Sequence, residues 1–310
     1  MNRNKKIVVS AAIVIAIVSV IISINQTNTT LRNLFCAPCI EGSNNNLEGS
    51  KIIQVTGALG PESIAFDPNG DGPYTGVADG RILKWQGDEL GWTEFAVTTS
   101  QSCGCLLMAK KKVSREWFLQ FMSSILSGDK TGRLLKYEKT TKEVTILLQG
   151  LAFANGVALS RDRTFILIAE TSNCRILRFW LHGPNSGKQD VFAELPGFPD
   201  NVRINSNGEF WVALHPKKGL FGKLILLNSW LGKTLLKLPL GFRQLHSLLV
   251  GGKPHATAIK LSEKGEVLEV LEDCEGKTLS FISEVEEKDG KLWMGSVLMP
   301  FIGIYNRFRN

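Results

Sequence analysis

The stretch Asn155-Gly156-Val157-Ala158-Leu159-Ser160 returns in altered form as Asp200-Asn201-Val202-Arg203-Ile204-Asn205. Each copy runs through a polar turn into a second apolar strand, Phe165–Ala169 after the first and Glu209–Ala213 after the second. An earlier unit starts at Glu62-Ser63-Ile64-Ala65-Phe66-Asp67 and turns over Pro68–Gly72. A last one runs from Ile282 through Lys288-Asp289-Gly290 into Lys291–Gly295. Alternating apolar residues joined by Asn, Asp and Gly turns are a hairpin signal, because successive strand side chains face opposite ways and tight turns need residues that tolerate positive φ. Small sheets repeated along a chain bury their faces by stacking radially, so an all-β propeller is expected.

Spacing sets the blade count. Asn155 and Asn201 lie 46 residues apart, about one four-stranded blade of roughly 40–50 residues. Glu62 and Asn155 lie 93 apart, and only part of that interval reads as strand: Thr131–Tyr137 and Glu143–Leu148 are expected as two outer strands of a blade. The preceding interval, residues 101–130, has no period-2 pattern and carries Lys110-Lys111-Lys112.

The 310 residues, 44% of them apolar, suffice for one large all-β domain, taken here as residues 51–310. The formal charge of +7 comes from Lys and Arg scattered among carboxylates, three of them in the first six residues, which argues against a nucleic-acid partner. Arg3, Lys5 and Lys6 precede an uncharged run from Ile7 to Ile24, near the lower limit for a membrane-spanning helix. Residues 1–24 are therefore expected to be a signal anchor, with a cleaved signal peptide as the competing reading. Either way, the rest of the chain, beginning with a linker over residues 25–50, is expected in the endomembrane lumen of the endoplasmic reticulum or vacuole. There the sequons at Asn25 and Asn28 could be glycosylated. Six cysteines suit that oxidising compartment. Cys36-Ala37-Pro38-Cys39 has the spacing of a redox motif or half a zinc site, but nothing completes four ligands.

Inner strands of a propeller line its central channel, so Glu62, Asn155, Asp200 and Asn201, at matching repeat positions, are expected to converge. Carboxylates with amide oxygens suit calcium, which takes six to eight oxygen ligands. Each of these residues also suits capping of its own turn. Of the four histidines, His246 and His255 sit at strand edges and read as structural, whereas His182 and His215 read as loop residues. No Gly-x-Ser-x-Gly elbow or phosphate-cradling loop occurs.

Phe153–Ser160, Phe198–Val202, Phe210–His215, Lys253–Ala258 and Ile282–Ser296 together resemble the plant strictosidine synthase-like proteins. The resemblance implies a six-bladed propeller related to paraoxonases and gluconolactonases, whose central calcium serves ester and lactone hydrolysis. It implies metal ligation by Glu62, Asn155 and Asp200 with Asn201 beside them, and a small-molecule ester, lactone or alkaloid-type substrate. At the glutamate that strictosidine synthase uses as acid/base, this chain has Ser283, and alternation is expected to turn the adjacent Glu284 to the other face. Glu286 and Glu287 are expected in solvent. The family also carries about one and a half blades where this chain has only Gln101 to Gln120, so an incomplete ring is expected.

Overall fold

The computed structural model describes residues 38–43, 45–98, 122–237, 244–246 and 254–307. The apolar run over 7–24, both sequons, Cys36 and Lys110–Lys112 lie outside the described residues. Among those described, no helix is long and apolar enough to cross a membrane.

The expected hairpins form, and they assemble into four antiparallel four-stranded sheets and one two-stranded sheet. The first sheet holds β2 (Ser63–Ala65), β3 (Tyr74–Gly76), β4 (Arg81–Trp85) and β5 (Trp92–Val97) in sequence order. β6 (Gly132–Tyr137) and β7 (Val144–Leu151) pair only with each other, at the segments expected to be outer strands. Two more sheets come next along the chain: β8 (Ala154–Leu159), β9 (Phe165–Glu170), β10 (Arg175–Trp180) and β11 (Gln189–Glu194), then β12 (Gly197–Ile204), β13 (Phe210–Lys217), β14 (Ala256–Leu261) and β15 (Val267–Asp273). The last sheet takes β16 (Glu284–Lys288), β17 (Lys291–Gly295) and β18 (Phe301–Asn306), and is completed by β1 (Lys51–Gln54) from the other end of the chain. β1 pairs antiparallel with β18, Lys51 opposite Ile304 and Gln54 opposite Phe301. The fold is thus a propeller with four complete blades among the described residues.

The core lies between the blades rather than at a single centre, because both faces of each sheet are apolar. Phe165, Phe192 and Phe210 stack between the third and fourth sheets, with Leu167, Val212 and Ile259 around them. Trp211, Ala258, Leu292 and Met294 fill the next interface, and Ile64, Leu83 and Ile302 the one after it. The first strands of the four complete blades stand side by side in the order β8, β12, β16, β2, and so form one wall.

Helices enter at one end. Residues 122–127 (α1), Leu220–Leu227 (α2) and Ser229–Leu235 (α3) meet through Met122, Leu126, Ile225 and Leu235 over Phe198 and the buried Cys174. The Gly232 backbone sits against α1 so closely that a Cβ there would fall 2.1 Å from the Leu126 carbonyl oxygen.

The segment before β1 is not a free linker. Cys39 forms a disulfide with Cys274, and the chain between them and β1 is bonded along β15: the Leu47 N–H donates to the Glu272 carbonyl at 3.0 Å, and the Cys274 N–H to Asn45 Oδ1 at 2.9 Å. This pairing leaves Cys39 unavailable for a redox or zinc pair with Cys36.

Candidate functional site at the inner strands

Glu62 immediately precedes β2, Asn155 is the second residue of β8, and Asp200 and Asn201 lie in the middle of β12. The Asn155 side-chain amide donates to Asp200 Oδ1 at 2.7 Å, linking two blades. A glycine makes that approach possible. A Cβ on Gly156 would lie 2.5 Å from the Asn201 Cα and 2.7 Å from its Oδ1, so the Asn-Gly order in the repeat is a packing requirement rather than a turn signal. Gly156→Ala is expected to push β8 from β12 and cost about 1–3 kcal/mol, the usual range for overpacking, read as a lower melting temperature.

Glu62 is held by its backbone. Its N–H donates to the Gly76 carbonyl at 3.2 Å, and its own carbonyl accepts the Ser283 hydroxyl at 2.9 Å. Gly295 allows β17 to pass beneath, since a Cβ there would lie 2.5 Å from the same carbonyl oxygen. Ser283 is fully buried and makes two further bonds, from its N–H to Gly295 and from the Asn201 N–H to its carbonyl. Its hydroxyl therefore ties strands together and is not available as an acid/base group.

Glu284 stands opposite Ser283, as alternation requires, but its side is the one that meets Arg203 and the carboxylates, which corrects the expectation that it turns away from the site. It is fully buried and reaches Arg203 on β12 through Oε1, while its Oε2 has no hydrogen bond of ordinary geometry. Burial raises its pKa against the opposing pull of Arg203, the Ile64 amide and the Ser63 hydroxyl, which places it between β12 and β2. Ser283 points away from that space because its hydroxyl is taken by Glu62. Glu284 thus stands with Glu62 and Asp200, although the residues expected to converge were Glu62, Asn155, Asp200 and Asn201. Nor are its neighbours on β16 in solvent. Burial pushes the Glu286 carboxyl up to about 7, while Glu287 accepts from Trp211 Nε1 at 2.6 Å and from Arg307 at 2.8 Å.

The electrostatics of the cluster are those of crowded acids. Burial, then the charge of Glu284, raises Glu62 to about 7. Burial, then Glu62 and then Glu284, raises Asp200 well above the usual carboxylate range, although the bond from Asn155 opposes this. Three carboxylates stand close enough to act on one another, with Asn155 bonded to Asp200 and Arg203 to Glu284; their oxygens do not gather as three within 4.8 Å, which among the described residues Cys39, Glu272 and Cys274 do. Carboxylate and amide oxygens of the kind that Glu62, Asp200 and Asn155 offer are what calcium takes.

Beside this cluster, under the helices, Phe281 is ringed by His215, His246 and His255 at centroid distances of 5.6, 5.0 and 6.3 Å. His215 lies within β13 and is buried, not in a loop. Burial and then the neighbouring imidazoles push His215 down to about 3 and His246 down to about 4. His215 and His246 therefore shape the wall as neutral rings, and His255 Nε2 accepts the Lys217 N–H at 2.7 Å. His182 is exposed after β10, as expected.

The family model for strictosidine synthase matches residues 98–184, and that for the strictosidine synthase-like N-terminal region matches 42–85. The chain is 48% identical to Protein STRICTOSIDINE SYNTHASE-LIKE 10 of Arabidopsis thaliana, covering 97% of this chain and 98% of that protein. The chain belongs to the strictosidine synthase-like family. It is also 37% identical to the Arabidopsis STRICTOSIDINE SYNTHASE-LIKE 9 protein over 86% of this chain and 91% of that one. Among solved structures, a luciferin-regenerating enzyme matches with a TM-score of 0.51 at 14% identity, covering 80% of this chain and 88% of that one, a likeness of fold alone. The alignment with the STRICTOSIDINE SYNTHASE-LIKE 10 protein runs over 371 residues although this chain has 310, so the relative holds about 60 residues or more without counterpart here, exceeding one blade of roughly 40–50.

Proposed function

We propose that this strictosidine synthase-like protein holds calcium on its inner strands and hydrolyses a small-molecule ester or lactone in the endomembrane lumen. The proximity of Glu62, Asn155 and Asp200, with Glu284 added, carries the reading. Glu62, Asp200, Asn155 and Asn201 would hold the cation, which when bound would polarise the substrate carbonyl and favour ionisation of water. The protein's own residues supply the rest. Asn155 fixes one Asp200 oxygen, Ser283 fixes the Glu62 backbone, and the neutral His215, His246 and Phe281 form an apolar wall able to seat an uncharged substrate. Amine–aldehyde condensation of the strictosidine type has no support here, because the hydroxyl of Ser283 is a poor acid/base and is already bonded.

The Cys39–Cys274 disulfide supports an oxidising lumen, with residues 7–24 as the membrane anchor. A second reading, a non-catalytic binding or maturation propeller, is favoured by β6 and β7, which among the described residues form a sheet with no inner strands to supply their part of the channel wall. We infer that the residues present in relatives and lacking here belong between β5 and β6, where they would supply that wall.

The test is hydrolysis of aryl acetates and aliphatic lactones by the purified protein with and without calcium. Activity that requires calcium and disappears in Asp200→Asn supports the hydrolase. Calcium binding without turnover supports the second reading, and neither binding nor turnover removes the site.

A further inference from the structure

Among the described residues, two blade faces have no partner blade. On the β6–β7 sheet, Leu134, Leu148 and Leu151 pack against Ile168 and Phe179 of the following blade. The cross-strand pairs Leu135–Ile146 and Tyr137–Val144 lie on the opposite face, at 53, 49, 55 and 60% exposure. The first blade shows the same asymmetry in reverse. Ile64 and Leu83 pack on Ile302 of the last blade. Away from them, Tyr74 pairs with Ala65, carries Phe95 edge-on at 5.0 Å, and leaves Phe95 62% exposed.

The two faces are complementary in kind. In ring order, one is the forward face of a blade and the other the backward face of a later blade, and every blade interface inside this propeller joins such a pair. Their charges also differ. Residues 63–98 hold six carboxylates against Arg81 and Lys84, whereas residues 129–149 hold five Lys and Arg against three carboxylates. Opposite net charge across an apolar centre favours encounter and fixes register. Exposed apolar patches of this kind mark association surfaces.

We propose that these faces bind a second copy of this chain, the Tyr74–Phe95 face of one copy packing on the Leu135–Ile146 face of the other as consecutive blades do. Each copy offers one face of each kind, so two copies can satisfy both contacts reciprocally, and a head-to-tail pair always leaves a complementary face available. The proposal does not depend on the reading of the acid cluster.

The experiment uses full-length copies carrying two different tags, expressed together and isolated in mild non-ionic detergent. Wild-type copies are expected to co-isolate. Phe95→Asp in both copies, or Ile146→Asp in both, is expected to reduce co-isolation at least tenfold, because each removes both reciprocal contacts. Pairing a Phe95→Asp copy with an Ile146→Asp copy is expected to restore co-isolation, since one intact contact remains. The altered side chains are at the surface, so melting temperatures should stay near wild type. If either variant unfolds, Tyr137→Lys or Val144→Asp takes the place of Ile146→Asp, and Tyr74→Asp that of Phe95→Asp. Wild-type copies that do not associate, single variants that associate as well as wild type, or a mixture that fails to recover would each overturn the proposal.

Discussion

Without divalent cations, the protein is expected to lose thermal stability as the pH rises from about 5 to 8, and millimolar calcium is expected to return most of it. The direction comes from the acid cluster. Glu62 is raised from 4.5 to about 7 in the folded protein, chiefly by burial and then by Glu284, and Asp200 is raised well above its own ordinary value. Below about 4.5 the Glu62 carboxyl is protonated whether or not the chain is folded, so it has no effect on the balance. Between 4.5 and 7 the unfolded chain releases the proton while the folded chain keeps it, and rising pH favours unfolding. Above 7 the penalty stops growing. At about 1.4 kcal/mol per pH unit for one proton, Glu62 contributes on the order of 2–3 kcal/mol, trimmed by the water its half-buried head retains. Glu286, also near 7, adds in the same direction.

Calcium at about a hundred times its dissociation constant would stabilise by about 2.7 kcal/mol. For a domain of this size that is a rise of roughly 5–10 °C in melting temperature. The increment should shrink below pH 6, where protons compete for the same oxygens. Asp200→Asn separates the cation site from a merely structural cluster. Removing one of three crowded charges should raise the cation-free melting temperature at pH 8 and abolish the calcium increment. A variant that melts lower than wild type without calcium, or still responds to it, contradicts the assignment. Scanning fluorimetry across pH, with chelator and with calcium, reads every arm.

The inner-strand cluster was legible because it is periodic. Glu62, Asn155 and Asp200 occur at equivalent points of a repeat whose strands declare themselves by alternation and turn chemistry, and the propeller bonds Asn155 to Asp200 and sets Glu62 close enough to raise the Asp200 pKa. Residues at other repeat positions were not legible on the same terms. Glu284 sits one place from the position that matched, and alternation alone would turn it away. What decides its direction is that Ser283 is bound to the Glu62 carbonyl, a bond between residues 221 apart in sequence. His215 looked like a loop residue after Trp211–Leu214, yet β13 extends to Lys217 because β12 pairs along it as far as Gly197. The helices α2 and α3 carry apolar residues at no period that distinguishes them from strand, and their contact with α1 over Phe198 explains why Ile225, Leu231 and Leu235 are buried while Leu227 and Trp230 stay exposed. Six blades were expected from the family resemblance, whereas the described residues contain four complete ones and the β6–β7 pair.

The least legible feature carries the second large effect, a loss of melting temperature in Glu272→Ala. Glu272 is fully buried on β15, and Lys217 beside it is nearly so. Oε1 accepts Lys217 Nζ at 2.8 Å and the Thr257 hydroxyl at 2.9 Å; Oε2 accepts the Ile40 N–H at 2.8 Å and the Ser43 hydroxyl at 2.6 Å. Burial alone would raise its pKa, but the bonds from Lys217, Ser43 and Ile40 outweigh burial and hold the carboxyl below its ordinary value. One carboxylate therefore ties together three strands of a blade, β13, β14 and β15, and the segment that the Cys39–Cys274 disulfide anchors. Removing it leaves the Lys217 ammonium buried with the Pro38 carbonyl, at 2.8 Å, as its remaining bonded oxygen. Stranding one member of a buried pair costs about 3–5 kcal/mol, and roughly 2–4 °C is lost per kcal/mol in a domain of this size, so a fall of about 6–20 °C is expected. Lys217→Met added to Glu272→Leu should recover much of the loss, because the stranded charge rather than the lost attraction is responsible for most of it. A double variant no more stable than the single one would place the cost in the Ile40 and Ser43 bonds instead, and would make the anchored segment, not the ion pair, the element that secures this blade.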